Sequence, residues 1–475
     1  MSPATPPSGP LLPPSTPEDQ GVPSAALLAL VRRWEDRGLE PHSVTVLRHG
    51  HTVAEGWWAP YHRDGVQLMY SVSKTFTACA VGFGVAEGLL RLDERVVDLF
   101  PESAHRAGPR AAALTLHDLL AMRTGHRVDT LTWREHSPAQ FPDVFLATEP
   151  EEEPGWFVYN NGATLMAALA VQRRSGQRLL DYLRPRLLEP LGLDHAAWSA
   201  EDGVDLGYSG LHVPTAALAR LGELVLRDGR WQGRRVLPAG WVATMTALHT
   251  DTSVHPGEVE WQQGYGYQMW RCRHGAVRAD GAYGQVSVVV PEAELVVALT
   301  GCTERTQETL DAIWEELLPH LAGAPLPPAP AAHAALTEAL AAASLPAPSG
   351  APQPSGPTPA DGPWSYAHTP TEEVPLLERV EVAPAAGGHG WTLRLTEGED
   401  ALEVPCGADG WPQTTTSGPW TASGGWSAPG VFEARVVAVQ TPHVLHLRCA
   451  DGVATTTWNG LPLNRPVLRR LRAPA

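Results

Sequence analysis

An α+β fold is predicted, in which an antiparallel sheet is flanked by helices, a helical block is inserted between its strands, and a small all-β domain follows at the C-terminal end. Three observations carry this prediction. Ser43 to Arg48 and Thr52 to Trp58 flank His49-Gly50 in the pattern of a β-hairpin. Helical periodicity then dominates to Arg227, and strand-like segments return between Gly264 and Thr300. Early and late strands meet most simply in one antiparallel sheet with the intervening helices packed on it.

Each element has its own signal. Ala25 to Arg37 has helical spacing ahead of the hairpin. Ser71 to Leu90 is apolar and rich in small residues, the composition of a helix buried on all sides. Leu116 to Met122 is a further helix, with Gly125 as its stop. Helices follow at Gly162 to Arg174, Leu179 to Leu188 and Thr215 to Arg227. Strands are expected at Gly264 to Trp270, Ala276 to Ala279, Gln285 to Val290 and Leu295 to Thr300, and Thr306 to Leu321 is a closing helix. Residues 322–362 are rich in proline and alanine, the composition of a linker, with a short helix at Ala331 to Ala343. β-Branched and alternating segments at Val380 to Val382, Trp391 to Leu395, Ala434 to Val439 and Val444 to Cys449 then predict a β domain over residues 363–475.

Composition narrows the function. The 475 residues suffice for a large core and a second domain. Residues 1–17 have the composition of a disordered tail, leaving 18–321 for the main domain. No apolar run reaches the roughly 18 residues of a membrane helix, because Glu87 interrupts Ala78 to Leu90. No signal-peptide block opens the chain either, so the expected compartment is the cytoplasm. Five scattered cysteines without a C-x-x-C pair indicate neither a disulfide framework nor a zinc site. The formal charge of −17 repels polyanions and argues against nucleic acid as a partner. Neither a metal nor a cofactor is expected.

Among the basic residues, one stands apart. Every one is arginine except Lys74, the single lysine of the chain. A guanidinium stays protonated at physiological pH, whereas a desolvated ammonium can release its proton and act as a base. Ser71-Val72-Ser73-Lys74 places Ser71 and Lys74 three residues apart at a buried helix start, on one helical face and at the positive end of the helix dipole. A serine hydroxyl needs such a base to become a nucleophile, so Ser71 and Lys74 are the expected acylation pair. Ser73 has Phe76 three residues on and is the poorer nucleophile.

The run Leu68 to Phe100, LMYSVSKTFTACAVGFGVAEGLLRLDERVVDLF, resembles the nucleophile helix of the class C β-lactamase and penicillin-binding-protein-like serine hydrolases. LTLHDLLAMRTG from Leu114, PGWFVYNNG from Pro154, EPLG from Glu189 and ADGAYGQVSVVVP from Ala279 agree with that family in the same order. The resemblance spans about residues 17–321 and implies a β-lactamase/transpeptidase-like fold acting on an ester or amide. It implies that Tyr159 shares proton transfer with Lys74, and that Asn161 positions the lysine and the substrate's acyl side chain. It also implies an oxyanion hole formed by the amides of Ser71 and Ala282, beside Gly281 where backbone can approach the substrate closely. At Ala279 the sequence departs from the family, where many members carry lysine or histidine. Without that cation a small uncharged ester or amide is the expected substrate, in preference to a β-lactam or a D-amino-acid peptide. Arg278 is adjacent, but strand alternation should point it away.

Two rival readings stay open. A catalytically silent member would bind or scaffold, and a β domain with six tryptophans (Trp364, Trp391, Trp411, Trp420, Trp426 and Trp458) would deliver the hydrolase to a glycan or contact the cleft or a partner. His49 and His51 are read as turn residues, Glu149 to Glu153 as a solvated acidic loop, and Trp57, Trp58, Trp133 and Trp156 as core or cleft walls.

Overall fold

A computed structural model describes residues 12–131, 137–348, 363–386, 389–412, 418–463 and 467–474. Most of the tail, together with Trp133, lies outside the described residues. A helix α1 (Ser24–Asp36) precedes the hairpin β1 (Pro41–Arg48) and β2 (His51–Trp57). The chain then enters a largely helical block through α2 (Ser73–Ala86), α3 (Asn161–Ser175) and α4 (Thr215–Leu226). It returns to the sheet in β3 (Trp270–Arg271), β4 (Val277–Gly281), β5 (Gln285–Val290) and β6 (Leu295–Gly301), followed by α5 (Thr306–Ala312).

These six strands form one sheet in the order β3-β4-β5-β6-β1-β2, each pairing antiparallel. The N-terminal hairpin therefore docks on the last strand, Val46 opposite Val297. Alternation along the strands builds two cores. Val289, Val296 and Ala298 face α2, α3 and α4, whereas Val286, Val288 and Val297 face α1 and the helix after β6. On the first face α4 crosses the sheet at Gly222, where a Cβ would lie 2.5 Å from Val296 Cγ1 and 2.7 Å from Ser287 Oγ.

Several elements differ from expectation for local reasons. The helix at Leu116 ends at Leu120, because Met122 takes a left-handed conformation (φ 51°). The strand expected from Gly264 to Trp270 is reduced to β3. Gly264 (φ 97°) and Gln268 (φ 56°) break the extension, and Tyr265 makes only isolated bridges to Thr250 and Trp270. Leu12 is buried and Ser15 N donates to Thr52 O, so residues 12–17 lie against β2. Residues 322–348 also lie against the main domain. Their helix α6 (Pro330–Ala341) packs on α1, and Leu336, Ala343 and Leu345 join the core beneath the sheet.

The C-terminal domain is a closed barrel of eight strands: β7 (Trp364–His368), β8 (Leu377–Pro384), β9 (Trp391–Glu397), β10 (Asp400–Gly407), β11 (Trp420–Ala428), β12 (Val431–Ala438), β13 (Val444–Ala450) and β14 (Val453–Asn459). β7 closes on β14, which removes both open edges. Inward residues such as Leu393, Val404, Ala434 and Leu447 alternate with outward ones, and Trp364, Trp391, Trp426 and Phe432 meet edge-to-face within it. Val437 and Val444 point out of the barrel into the sheet's second core, so the two domains share apolar packing. Among the described residues no helix is long and apolar enough to cross a membrane.

Helix α4 fits the sheet only because residue 222 has no side chain. Gly222→Val should destabilise the protein by about 1–3 kcal/mol through overpacking, whereas Gly323→Val, with open space around its Cβ, should leave the thermal midpoint almost unchanged. Thermal unfolding followed by circular dichroism checks both.

Candidate active site

The site begins at the N-terminal end of α2. A 3₁₀ turn, Tyr70–Val72, leads into the helix, and Tyr70 has φ 45°, a left-handed conformation that costs a non-glycine residue of order 1–3 kcal/mol. This kink presents Ser71 at the helix start. Lys74, one turn on, is 1% exposed, and its Nζ donates to Ser71 Oγ at 2.8 Å and to Tyr208 O at 2.8 Å. Desolvation outweighs the attraction of Asp129 and Asp280 and lowers the Lys74 pKa to about 7. Near neutrality a large share of this amine is therefore unprotonated and able to accept the serine proton. Ser73, fully buried, instead accepts from Leu211 N at 3.1 Å and holds the neighbouring strand.

Tyr159 arrives from the segment before α3. Its ring stacks on Trp270 with 12° between planes, its centroid lies 4.9 Å from Lys74 Nζ, and Ser71 is near enough to favour the ionised phenol slightly. An ammonium nearby would by itself lower the phenol pKa. Burial dominates and pushes Tyr159 well above the usual phenol range, so it is a neutral proton donor beside the serine. Asn160 is the helix cap, its Oδ1 accepting from Ala163 N and from Thr130. Asn161 lines the same cleft, and its amide donates to Asp129 Oδ2 at 2.6 Å. On the other side of Lys74, the carbonyl of Tyr208 accepts from Nζ.

The end of β4 forms the opposite side. A Cβ at Gly281 would collide with Met69 O and lie 3.3 Å from Ser71 N, so glycine is required for the strand to approach the serine amide this closely. Gln285 pins the following turn by donating to the carbonyls of Ala282, Tyr283 and Gly301. Ala282 lines the cleft, and Ala279 is buried in the helical core. Arg278 does face away from Ala279, as alternation requires, but it still acts on the site. Its buried guanidinium lies 4.8 Å from the Trp261 ring and 5.6 Å from that of Trp270, and its Nε donates to Asp280 Oδ2 at 2.6 Å. Asp280 shares its face of the strand and lines the cleft.

The cleft has a volume of about 480 Å³. Besides Ser71, Tyr159, Asn161, Asp280 and Ala282 it is walled by Tyr70, Tyr208, Trp261, Trp270, His255 and, from the barrel, Leu463. None of these last six was singled out in the sequence, where Trp270 ends a segment with the pattern of an ordinary strand and Trp261 precedes it. Trp58 is buried and donates to Glu35, Trp156 is exposed, and the wall-forming indoles are instead Trp261 and Trp270. Glu149 to Glu153 form a fastened loop, with Glu149 accepting from Arg110 N and Glu151 from Arg127 N. His49 Nδ1 meets Gln20 at the hairpin turn. Of the six barrel tryptophans, Trp364, Trp391 and Trp426 cluster within the barrel, Trp420 is buried there too, Trp411 donates to Leu345 O, and Trp458 donates to Glu373 O.

A family model described as Beta-lactamase matches residues 28–317. The 6-aminohexanoate-dimer hydrolase of Paenarthrobacter ureafaciens is 26% identical over 314 residues, covering 60% of this chain and 79% of that protein. The structure of EstCE1, described as a hydrolase with promiscuous acyltransferase activity, superposes with a TM-score of 0.51 at 16% identity over 61% of this chain and 98% of its own. The structure of SurE superposes with a TM-score of 0.50 at 19% identity over 91% of this chain and 98% of its own, so its fold extends over both domains.

Burial of Lys74 also has a thermodynamic signature. Its folded pKa lies near 7, below the usual 10.5, so between these values the unfolded chain binds more protons and stability rises with pH. Lys74→Met should therefore raise the thermal midpoint at pH 7, with the difference from wild type shrinking toward pH 10. Calorimetry across that range checks the sign.

Proposed function

Since the chain belongs to the beta-lactamase family of serine hydrolases, we propose that it cleaves a small ester or amide through an acyl-enzyme at Ser71. The observation that carries the reading is the desolvated amine of Lys74, 2.8 Å from the Ser71 hydroxyl. In this reading Lys74 removes the serine proton as Oγ attacks the carbonyl carbon, and the amides of Ser71 and Ala282 receive the oxyanion. Tyr159 then gives its proton to the departing alkoxide or amine and regains one from the Lys74 ammonium. Water attacks the acyl-enzyme, Lys74 takes its proton, and Ser71 leaves with a proton returned to Oγ. The principal base is thus Lys74, and the principal acid Tyr159.

The electrostatics of the cleft favour an uncharged substrate. Among the described residues lining it, Asp280 is the fixed charge, and burial lowers the His255 pKa, favouring neutral imidazole. A substrate carboxylate would find no unpaired guanidinium here, because Arg278 is held behind the indoles and is already paired to Asp280. This supports ester or amide hydrolysis over turnover of β-lactams or D-amino-acid peptides. The 6-aminohexanoate-dimer hydrolase supports an amide as one accessible substrate type.

Nitrophenyl esters should be hydrolysed, a cephalosporin weakly or not at all, and Ser71→Ala should lose all turnover. A fluorophosphonate should label Ser71, as identified by mass spectrometry; absence of label together with absence of turnover would establish the silent, binding reading. Tyr159→Phe should lower kcat by about 10²–10⁴-fold, the span of a general-acid contribution. With Lys74 titrating near 7, kcat/KM should climb as pH rises through that value and level off above it, a limb measurable with an ester of pH-independent leaving group.

A further inference from the structure

The barrel reaches the nucleophile from the second domain, and its contacts there are specific. Its turn between β12 and β13 and the segment after β14 straddle the 3₁₀ turn that carries Ser71. Leu68 N donates to Gln440 O at 2.9 Å, Tyr61 Oη to Thr441 O at 3.2 Å, and Cys302 Sγ to Asn459 O at 3.1 Å. Tyr283 Oη donates to Leu461 O. Gly460 is a close-approach position, since a Cβ there would lie 2.5 Å from Cys302 Sγ and 3.2 Å from the Tyr283 ring.

At the centre of this contact lies His443, fully buried, edge-on to Tyr70, Tyr283 and Trp458. Its Nδ1 lies 2.6 Å from Gly460 O, and its Nε2 lies 2.6 Å from Tyr70 Oη. A carbonyl only accepts, so Nδ1 bears the hydrogen and Nε2 accepts from the tyrosine hydroxyl. The imidazole stays neutral, its pKa lowered to about 4 by burial. Tyr70 is the left-handed residue immediately before Ser71, so the barrel holds the side chain of the very residue whose backbone kink presents the nucleophile. Three residues beyond Gly460, Leu463 lines the cleft beside Tyr70 and Ser71 while remaining 55% exposed. An apolar side chain left open at a cleft wall has surface to bury against an apolar group.

We infer that the barrel is a working part of the active site, with Leu463 as a specificity wall for the apolar portion of the substrate and His443 as a positioning residue that fixes Ser71 through Tyr70. The inference rests on Ser71 being the nucleophile. It assigns the substrate class as esters or amides with an extended apolar group.

The test uses the full-length enzyme and two nitrophenyl-type ester series, one varied in acyl length and one in leaving-group size, with active sites counted by fluorophosphonate. Leu463→Trp should lower kcat/KM for the largest member of one series at least tenfold relative to its smallest, and Leu463→Ala should move that ratio the other way. His443→Ala and Tyr70→Phe should each slow Ser71 phosphonylation about tenfold, with the double variant no slower than either. His443→Gln, whose amide oxygen can accept the tyrosine hydroxyl, should restore most of the rate. Both size ratios staying within twofold of wild type in both Leu463 variants, or phosphonylation at the wild-type rate in His443→Ala and Tyr70→Phe, would overturn the inference. Were wild-type Ser71 to resist the probe and all esters to remain intact, the hydrolase reading itself would fall, and this inference with it.

Discussion

Taking one ammonium group out of water organises this molecule. Lys74 is buried among Ser71, Tyr208 and the Tyr159 ring, and desolvation of a cation costs more than two carboxylates at longer range return, so its pKa falls to about 7. The same burial raises the phenol of Tyr159. Two groups that would both be protonated in water thus separate into an amine that can lose its proton near neutrality and a phenol that keeps it. Such a divergence of neighbouring titrations is the physical ground for the proposed roles of base and acid.

Keeping that amine dry is the task of the surrounding fold. The small residues of α2 let it lie buried among neighbouring helices, and Gly281 lets the end of β4 close to van der Waals range over the serine amide. The opposite wall is a stack of aromatic rings, Tyr159 on Trp270, with Trp261 and Trp270 backed by the Arg278 guanidinium. A charged group is thus present near the position where many relatives carry a cation, but it faces the other side of the strand and is neutralised by Asp280. The result is a cleft walled largely by aromatic rings, whose lining carboxylate, Asp280, is already paired.

The second domain is joined by more than its linker. Val437 and Val444 enter the sheet's core, Arg435 donates to Glu40 Oε2 at 2.6 Å and to Pro346 O at 3.0 Å, and His443 meets Tyr70. An interface with shared apolar packing and buried polar contacts resists relative motion of its domains.

The sequence by itself determined what is local. Ser71 and Lys74 lie on one face because a helix brings residues i and i+3 together, and a solitary lysine in an arginine chain marks the exception worth explaining. Strand alternation likewise made the hairpin, β5 and β6 legible to within a residue or two. The barrel strands were seen in part, but closure was not, since pairing of β7 with β14 joins residues more than eighty apart. Tertiary structure alone decided the rest. Tyr208 beside Lys74, Asp280 in the cleft, the indoles of Trp261 and Trp270, and Leu463 from the far domain converge from segments up to roughly four hundred residues apart. No periodicity records such meetings, because a side chain's burial, and with it the pKa of a neighbour, depends on which distant surface folds over it.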